Sequence, residues 1–174
     1  MNCFLKSILF CFVLINTTVF SQSEVERPYY FDLVNGPYLF IDHIPYDAVM
    51  MTGARLGYEF TPRFNANIEY VVGQQQDDQN TLGMTHNVNA QFNYYLKAEP
   101  KRFSPYVFAG GGFMEFKSFS TDVYGIQYNV GAGTTLRFTN NLYGLIESRY
   151  FNLGLMDLGG QNELAVFWGI RIKF

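Results

Sequence analysis

Apolar and polar residues alternate one by one through much of this chain. The alternation is without error in Phe64–Asn65–Ala66–Asn67–Ile68–Glu69–Tyr70. It returns in Asn87–Val88–Asn89–Ala90–Gln91–Phe92–Asn93–Tyr94 and in Ile126–Gln127–Tyr128–Asn129–Val130. A period of two puts every second side chain on the same face, which means a strand with one apolar and one polar side. The pattern predicts strands over 53–60, 64–72, 86–96, 106–116, 124–138, 142–152 and 163–174, with one more between Tyr29 and His43. Gly36-Pro37 interrupts that first run, so either 29–34 or 38–43 is its paired part.

Punctuation between the runs points to hairpins. Thr61-Pro62-Arg63 and Thr139-Asn140-Asn141 read as tight turns, and 97–105, with two prolines, as a longer one. Polar or Gly-rich segments at 73–83, 117–123 and 154–161 read as loops between the other strand pairs. Short turns thus alternate with longer loops, as in barrels of the outer membrane.

Phasing the strands separates two surfaces. One collects Leu56, Tyr58, Phe60, Ile68, Tyr70, Phe92, Ile126, Tyr128, Ile146, Trp168 and Ile170, and on 106–116 it takes Tyr106, Phe108, Gly110, Gly112, Met114 and Phe116. No position of this surface is charged. The other holds Arg55, Glu59, Glu69, Glu115, Arg137, Glu147, Arg149, Arg171 and Lys173 with many Asn and Gln. An Arg or Lys facing lipid at mid-depth costs about 2–4 kcal/mol, so a bilayer would select this segregation. A soluble barrel reverses it, with apolar residues inside. Eight strands leave a lumen that side chains just fill. Arg55, Glu59, Glu69, Glu147, Arg149 and Arg171 are therefore expected to pair in an internal ionic network that closes the lumen.

Composition narrows the setting. Aromatics make up 18% of the chain, with 13 Tyr and 18 Phe, which suits strands and membrane interfaces. The balance of 12 Lys+Arg against 15 Asp+Glu offers no basic patch for nucleic acid. Lys6, the apolar run 8–15 and Val19-Phe20-Ser21 read as a secretory signal peptide over 1–21, cut before Gln22. That run is too short to span a membrane as a helix, which takes about 20 residues. Cleavage removes Cys3 and Cys11, so the mature part, 22–174, has no thiol chemistry or disulfide. No metal or cofactor site is expected.

The chain closes on Phe167-Trp168-Gly169-Ile170-Arg171-Ile172-Lys173-Phe174. This resembles the C-terminal signal of outer-membrane barrels that the barrel-assembly machinery reads, with Trp168, Gly169, Ile170, Ile172 and Phe174 as its elements. Upstream, Gly57-Tyr58-Glu59-Phe60-Thr61-Pro62-Arg63-Phe64, Ser104-Pro105-Tyr106-Val107-Phe108-Ala109-Gly110-Gly111-Gly112 and Glu147-Ser148-Arg149-Tyr150 resemble recurring segments of the OmpA-like outer-membrane barrel family. The resemblance covers 22–174. It implies an all-β, eight-stranded antiparallel up-and-down transmembrane barrel in the bacterial outer membrane, in contact with its lipid. No peptidoglycan-binding domain is expected.

The leading functional expectation is a non-enzymatic barrel with a structural or surface-interaction role, displaying 73–83 and 154–161. A competing reading is a lipid A-modifying enzyme. Residues 149–154 faintly resemble the catalytic strand of lipid A deacylases, which need a His and a Ser two residues apart with an acidic partner. The matching positions here are aromatic and amide, and His43 and His86 read as loop or interface residues. A crowded ionic lumen argues against solute transport. A soluble secreted ligand-binding β-barrel is a further alternative.

Overall fold

The computed structural model describes residues 26–40, 49–76, 82–97, 102–117, 122–155 and 159–174. The expected signal peptide and His43 lie outside the described residues. Eight strands follow one another: β1 (Tyr29–Phe40), β2 (Val49–Glu59), β3 (Phe64–Gln76), β4 (Leu82–Tyr95), β5 (Phe103–Lys117), β6 (Asp122–Arg137), β7 (Leu142–Leu155) and β8 (Gly159–Lys173). Each pairs antiparallel with the next, and β1 pairs with β8 to close the barrel.

The short turns and both ends of the barrel domain share one rim. There Thr61 Oγ1 accepts the Phe64 N–H at 3.0 Å, and Thr139 Oγ1 accepts that of Leu142 at 3.0 Å. At the other rim the strands run further than alternation predicts. β3 and β4 stay in register out to Gln76 and Leu82, and β7 and β8 out to Leu155 and Gly159. Much of the segments expected as loops is therefore strand. Backbone pairing continues there without the alternation that lipid imposes on side chains.

β1 resolves the ambiguity around Gly36-Pro37 by using both halves. Pro37 faces outward opposite Met50 in an unbroken register with β2, while the pairing with β8 skips Gly36 and Pro37. A Cβ on Gly36 would lie 1.9 Å from the Val166 carbonyl oxygen, so only glycine lets β8 come this close. Gly169 makes the reciprocal approach: its Cβ would sit 2.0 Å from the Leu33 carbonyl.

The two surfaces fall as the alternation predicts on every phased strand except β5. Tyr106, Phe108 and Met114 are buried in the lumen, while Phe103, Val107 and Phe113 are exposed. Gly110, Gly112 and Phe116 share the inward register, opposite Gln91, Asn89 and Thr85. Both faces of β5 are apolar, so period two carries no phase there. Placing Glu115 inside was the wrong tie-break. It lies outside, beyond the apolar belt, paired with Lys117 at 3.0 Å.

Outside, the barrel shows a continuous apolar surface that includes Leu33, Leu56, Ile68, Phe92, Ile126 and Ile170. A closed sheet has no unpaired edge, which backbone in hydrocarbon requires. The β5 assignment has a direct check. Val107→Arg should lower the unfolding free energy by about 2–4 kcal/mol in lipid. A cysteine at 107 should react with a lipid-dissolved maleimide while one at 108 is shielded. The opposite accessibility would restore the rejected phase.

Candidate functional site

The lumen is built in layers, each supplied by inward positions of strands far apart in sequence. Nearest the turn rim, Lys173 Nζ of β8 lies 2.6 Å from Glu59 Oε1 of β2, over the Tyr143 ring. The next layer joins β8 to β1: Arg171 donates from Nε to Asp32 Oδ1 at 2.8 Å and from Nη2 to Asp32 Oδ2 at 2.9 Å. Its Nη1 donates to the Tyr95 hydroxyl at 2.6 Å, and the Tyr30 ring lies 3.8 Å from the guanidinium carbon.

At mid-height Arg55, Glu69, Glu147 and Arg149 form a closed quartet. Arg55 grips Glu147 with both terminal nitrogens, at 2.7 and 2.6 Å, and gives its Nε to Glu69 at 2.5 Å. Arg149 grips Glu69 at 2.5 and 2.8 Å and also donates to Glu147 from Nε at 3.0 Å. Each carboxylate thus serves both guanidinium groups, in the bidentate geometry that makes such pairs strong. The Tyr106 hydroxyl adds a bond to Glu147. Phe167 and Phe108 cover the Arg149 guanidinium at 4.6 and 5.3 Å. All four side chains are 0–1% exposed.

Two further features complete the interior. Toward the loop rim lies an apolar layer of Val34, Tyr38, Val49, Met51, Val71 and Phe151, where the Tyr38 hydroxyl donates to Glu163. Along β3, β4 and β6 runs a wall of amides, in which Gln127 Nε2 donates to Asn89 Oδ1 at 2.7 Å and Asn67 Nδ2 to the Tyr30 hydroxyl at 3.2 Å.

Of the residues expected in one network, the structure joins Arg55, Glu69, Glu147 and Arg149 directly. Arg171 is linked to them through Asp32, which lies 3.5 Å from Arg55, and Glu59 stands apart with Lys173. Asp32 escaped sequence reasoning because its strand could not be placed. The alternation Tyr30, Asp32, Val34 was the available signal. Lys173 was on the correct face but was not assigned a partner.

At the end of β8, Trp168, Ile170, Ile172 and Phe174 all face outward. Phe174 donates its N–H to the Tyr29 carbonyl at 3.0 Å and stacks on the Tyr29 ring. His86 also faces outward. Its Nδ1 shares a hydrogen bond with the Tyr70 hydroxyl at 2.8 Å, and it is paired in register with Glu115. Among the described residues no group of His, Cys, Asp or Glu is arranged to hold a metal ion.

This geometry has counterparts among solved structures. Neisserial surface protein A is similar with a TM-score of 0.72 at 15% identity, over 84% of this chain and 97% of that one. The outer membrane protein OprG of Pseudomonas aeruginosa gives 0.58 at 10%, over 85% and 96%. The N-terminal β-barrel domain of OprF from the same organism gives 0.55 at 18%, over 83% and 97%. In fold, the chain is a closed eight-stranded antiparallel barrel like those of these small outer-membrane proteins. No protein-family model and no curated protein matches its sequence.

In such a barrel the quartet should be strongly coupled. Glu69→Gln leaves Arg149 with Glu147 alone and Arg55 with Glu147 and the more distant Asp32, and should cost about 3–5 kcal/mol. Adding Arg149→Met should recover part of that loss. Urea unfolding in detergent micelles, followed by the fluorescence of Trp168, measures both. An additive double variant would show that the quartet is not a unit.

Proposed function

We propose that this chain is a non-enzymatic integral protein of the bacterial outer membrane with a structural or surface-interaction role, its lumen closed by internal ion pairs. In this reading, residues 1–21 direct export. The barrel-assembly machinery then inserts the barrel by way of Trp168, Gly169, Ile170, Ile172 and Phe174. The apolar outer surface contacts outer-membrane lipid, and the loop rim is the face offered to the exterior.

The observation that carries the closed lumen is the quartet itself. Its two arginines and two glutamates reach across the interior from β2, β3 and β7 with no water-accessible surface on either arginine. An ion would have to break several charge-assisted bonds at once and then cross the apolar layer above. Planar-bilayer recordings of the purified barrel should show no stable conductance steps. Regular openings would overturn the closed lumen.

The segment most like a deacylase strand supports the non-enzymatic reading. Arg149 belongs to the quartet and Phe151 packs against Tyr38 with ring centroids 4.9 Å apart. On the outer side, Tyr150 and Asn152 both bond Asn162, an amide that is no nucleophile. Mass analysis of lipid A after incubation with the barrel should show it unchanged. Loss of an acyl chain would establish the enzymatic alternative.

A further inference from the structure

Charge is distributed unevenly along the barrel axis. In the sequence, the segments between the strands that end at the loop rim contain Asp42, Asp47, Asp77, Asp78 and Asp157, while Lys117 is the cation that ends β5 there. The segments at the turn rim are richer in cations, although Glu26 and Glu99 also fall there in the sequence. Arg27 precedes β1, Arg63 lies in the β2–β3 turn, Lys97 and Arg102 flank the β4–β5 turn, and Arg137 opens the β6–β7 turn. Each connection at that rim therefore has an arginine at or beside it, as does the chain entering β1.

Among the described residues none of these cations has a carboxylate within ion-pairing distance. Glu59, a carboxylate at this end, is taken by Lys173. Arg63 has a single side-chain partner, the Tyr94 hydroxyl at 3.2 Å, and Arg137 donates to Asn140 Oδ1 at 2.5 Å and the Thr139 carbonyl at 3.3 Å. These contacts hold the side chains at the rim and, among the described residues, bring no carboxylate to them.

Directly beneath lies an aromatic belt. Tyr29, Tyr58, Phe60, Phe64, Phe103 and Phe138 are exposed on the outer surface at this level. Tyr29 meets Tyr58 and Tyr58 meets Phe60 with centroids 5.1 Å apart. Aromatic girdles mark the boundary between acyl chains and headgroups. The arginines thus stand at headgroup depth, where a phosphate is the complementary charge and a guanidinium its preferred bidentate donor.

We propose that the turn rim is a binding ring for anionic phospholipid, taking the headgroup phosphates of the leaflet on that side. The ring selects phosphatidylglycerol-like lipids over zwitterionic ones, and the acidic loop rim has no such preference. This rests on the reading of the barrel as an integral membrane protein.

The chain's single tryptophan supplies the test. Trp168 faces lipid on β8, 45% exposed, within reach of brominated acyl chains. The barrel is reconstituted in mixtures of phosphatidylcholine and phosphatidylglycerol with one or the other lipid brominated. Quenching then gives the relative association of the two lipids. The wild type should favour phosphatidylglycerol several-fold, and molar salt should abolish the preference. Arg63→Gln/Arg102→Gln/Arg137→Gln should bring it close to parity, while Lys117→Gln at the opposite rim should leave it intact. Equal association in the wild type, or a preference unchanged by salt, overturns the binding ring. Quenching by neither brominated lipid would instead defeat the membrane reading on which it rests. The salt series uses unaltered protein, so it decides the question even if the triple variant fails to assemble.

Discussion

Hydrocarbon offers no hydrogen-bonding partner to a peptide group, and that constraint organises everything else in this molecule. A sheet immersed in it must have no free edge, so β1 has to find β8. Closure at eight strands then sets the radius, and the radius leaves an interior with room for side chains but not for a wide aqueous core. The alternation that turns apolar residues toward lipid sends the intervening polar and charged ones into that space. The ionic layers are thus the inward half of the same pattern that makes the outside greasy.

Charges in such a confined space must be matched by geometry as well as by sign. Glu69 and Glu147 stand between Arg55 and Arg149 so that every guanidinium fork meets a carboxylate. Asp32 extends the contact to Arg171, and the phenols of Tyr95 and Tyr106 take up remaining hydrogen-bonding capacity. Buried ion pairs are poor sources of net stability, because desolvation offsets much of their attraction. Their value here lies in register. A strand slipped by one residue would point Arg55 or Arg149 at lipid and an apolar neighbour at Glu147.

Period two made most of this legible in the chain. Where alternation is clean, as in Phe64–Tyr70 or Asn87–Tyr94, both strand and face are read correctly. It failed where one of its two letters was missing. β5 carries apolar or small residues on both faces from Tyr106 to Met114, since its inward side packs against the amides of β4 and its outward side against lipid. Its two charges, Glu115 and Lys117, sit past the apolar belt, where they pair with each other. β1 was obscured by Gly36-Pro37, a pair that reads as a break although the close approach of β8 demands the glycine. Losing that strand hid Asp32, and with it the partner of Arg171. The linkage of the quartet could not be read either, since antiparallel order fixes neighbours but not which side chains meet across the interior.

The β1–β8 seam also governs the order of events by which the barrel comes into being. Asp32 and Arg171 are separated by 139 positions, and the strands that bear them lie at opposite ends of the barrel domain. All other strand pairs are hairpins that form from sequence neighbours, at little cost in loop entropy. The last seam is different, because it cannot begin until β8 has been synthesised and all seven hairpins are threaded into position. Until then two bare edges and an unfinished ionic core face their surroundings. Non-local pairing of this kind carries a larger loop-closure cost than any hairpin in the barrel. In a chain of this topology the pairing of β1 with β8 is the one that joins the two ends of the barrel domain, and it carries the Asp32–Arg171 contact with it.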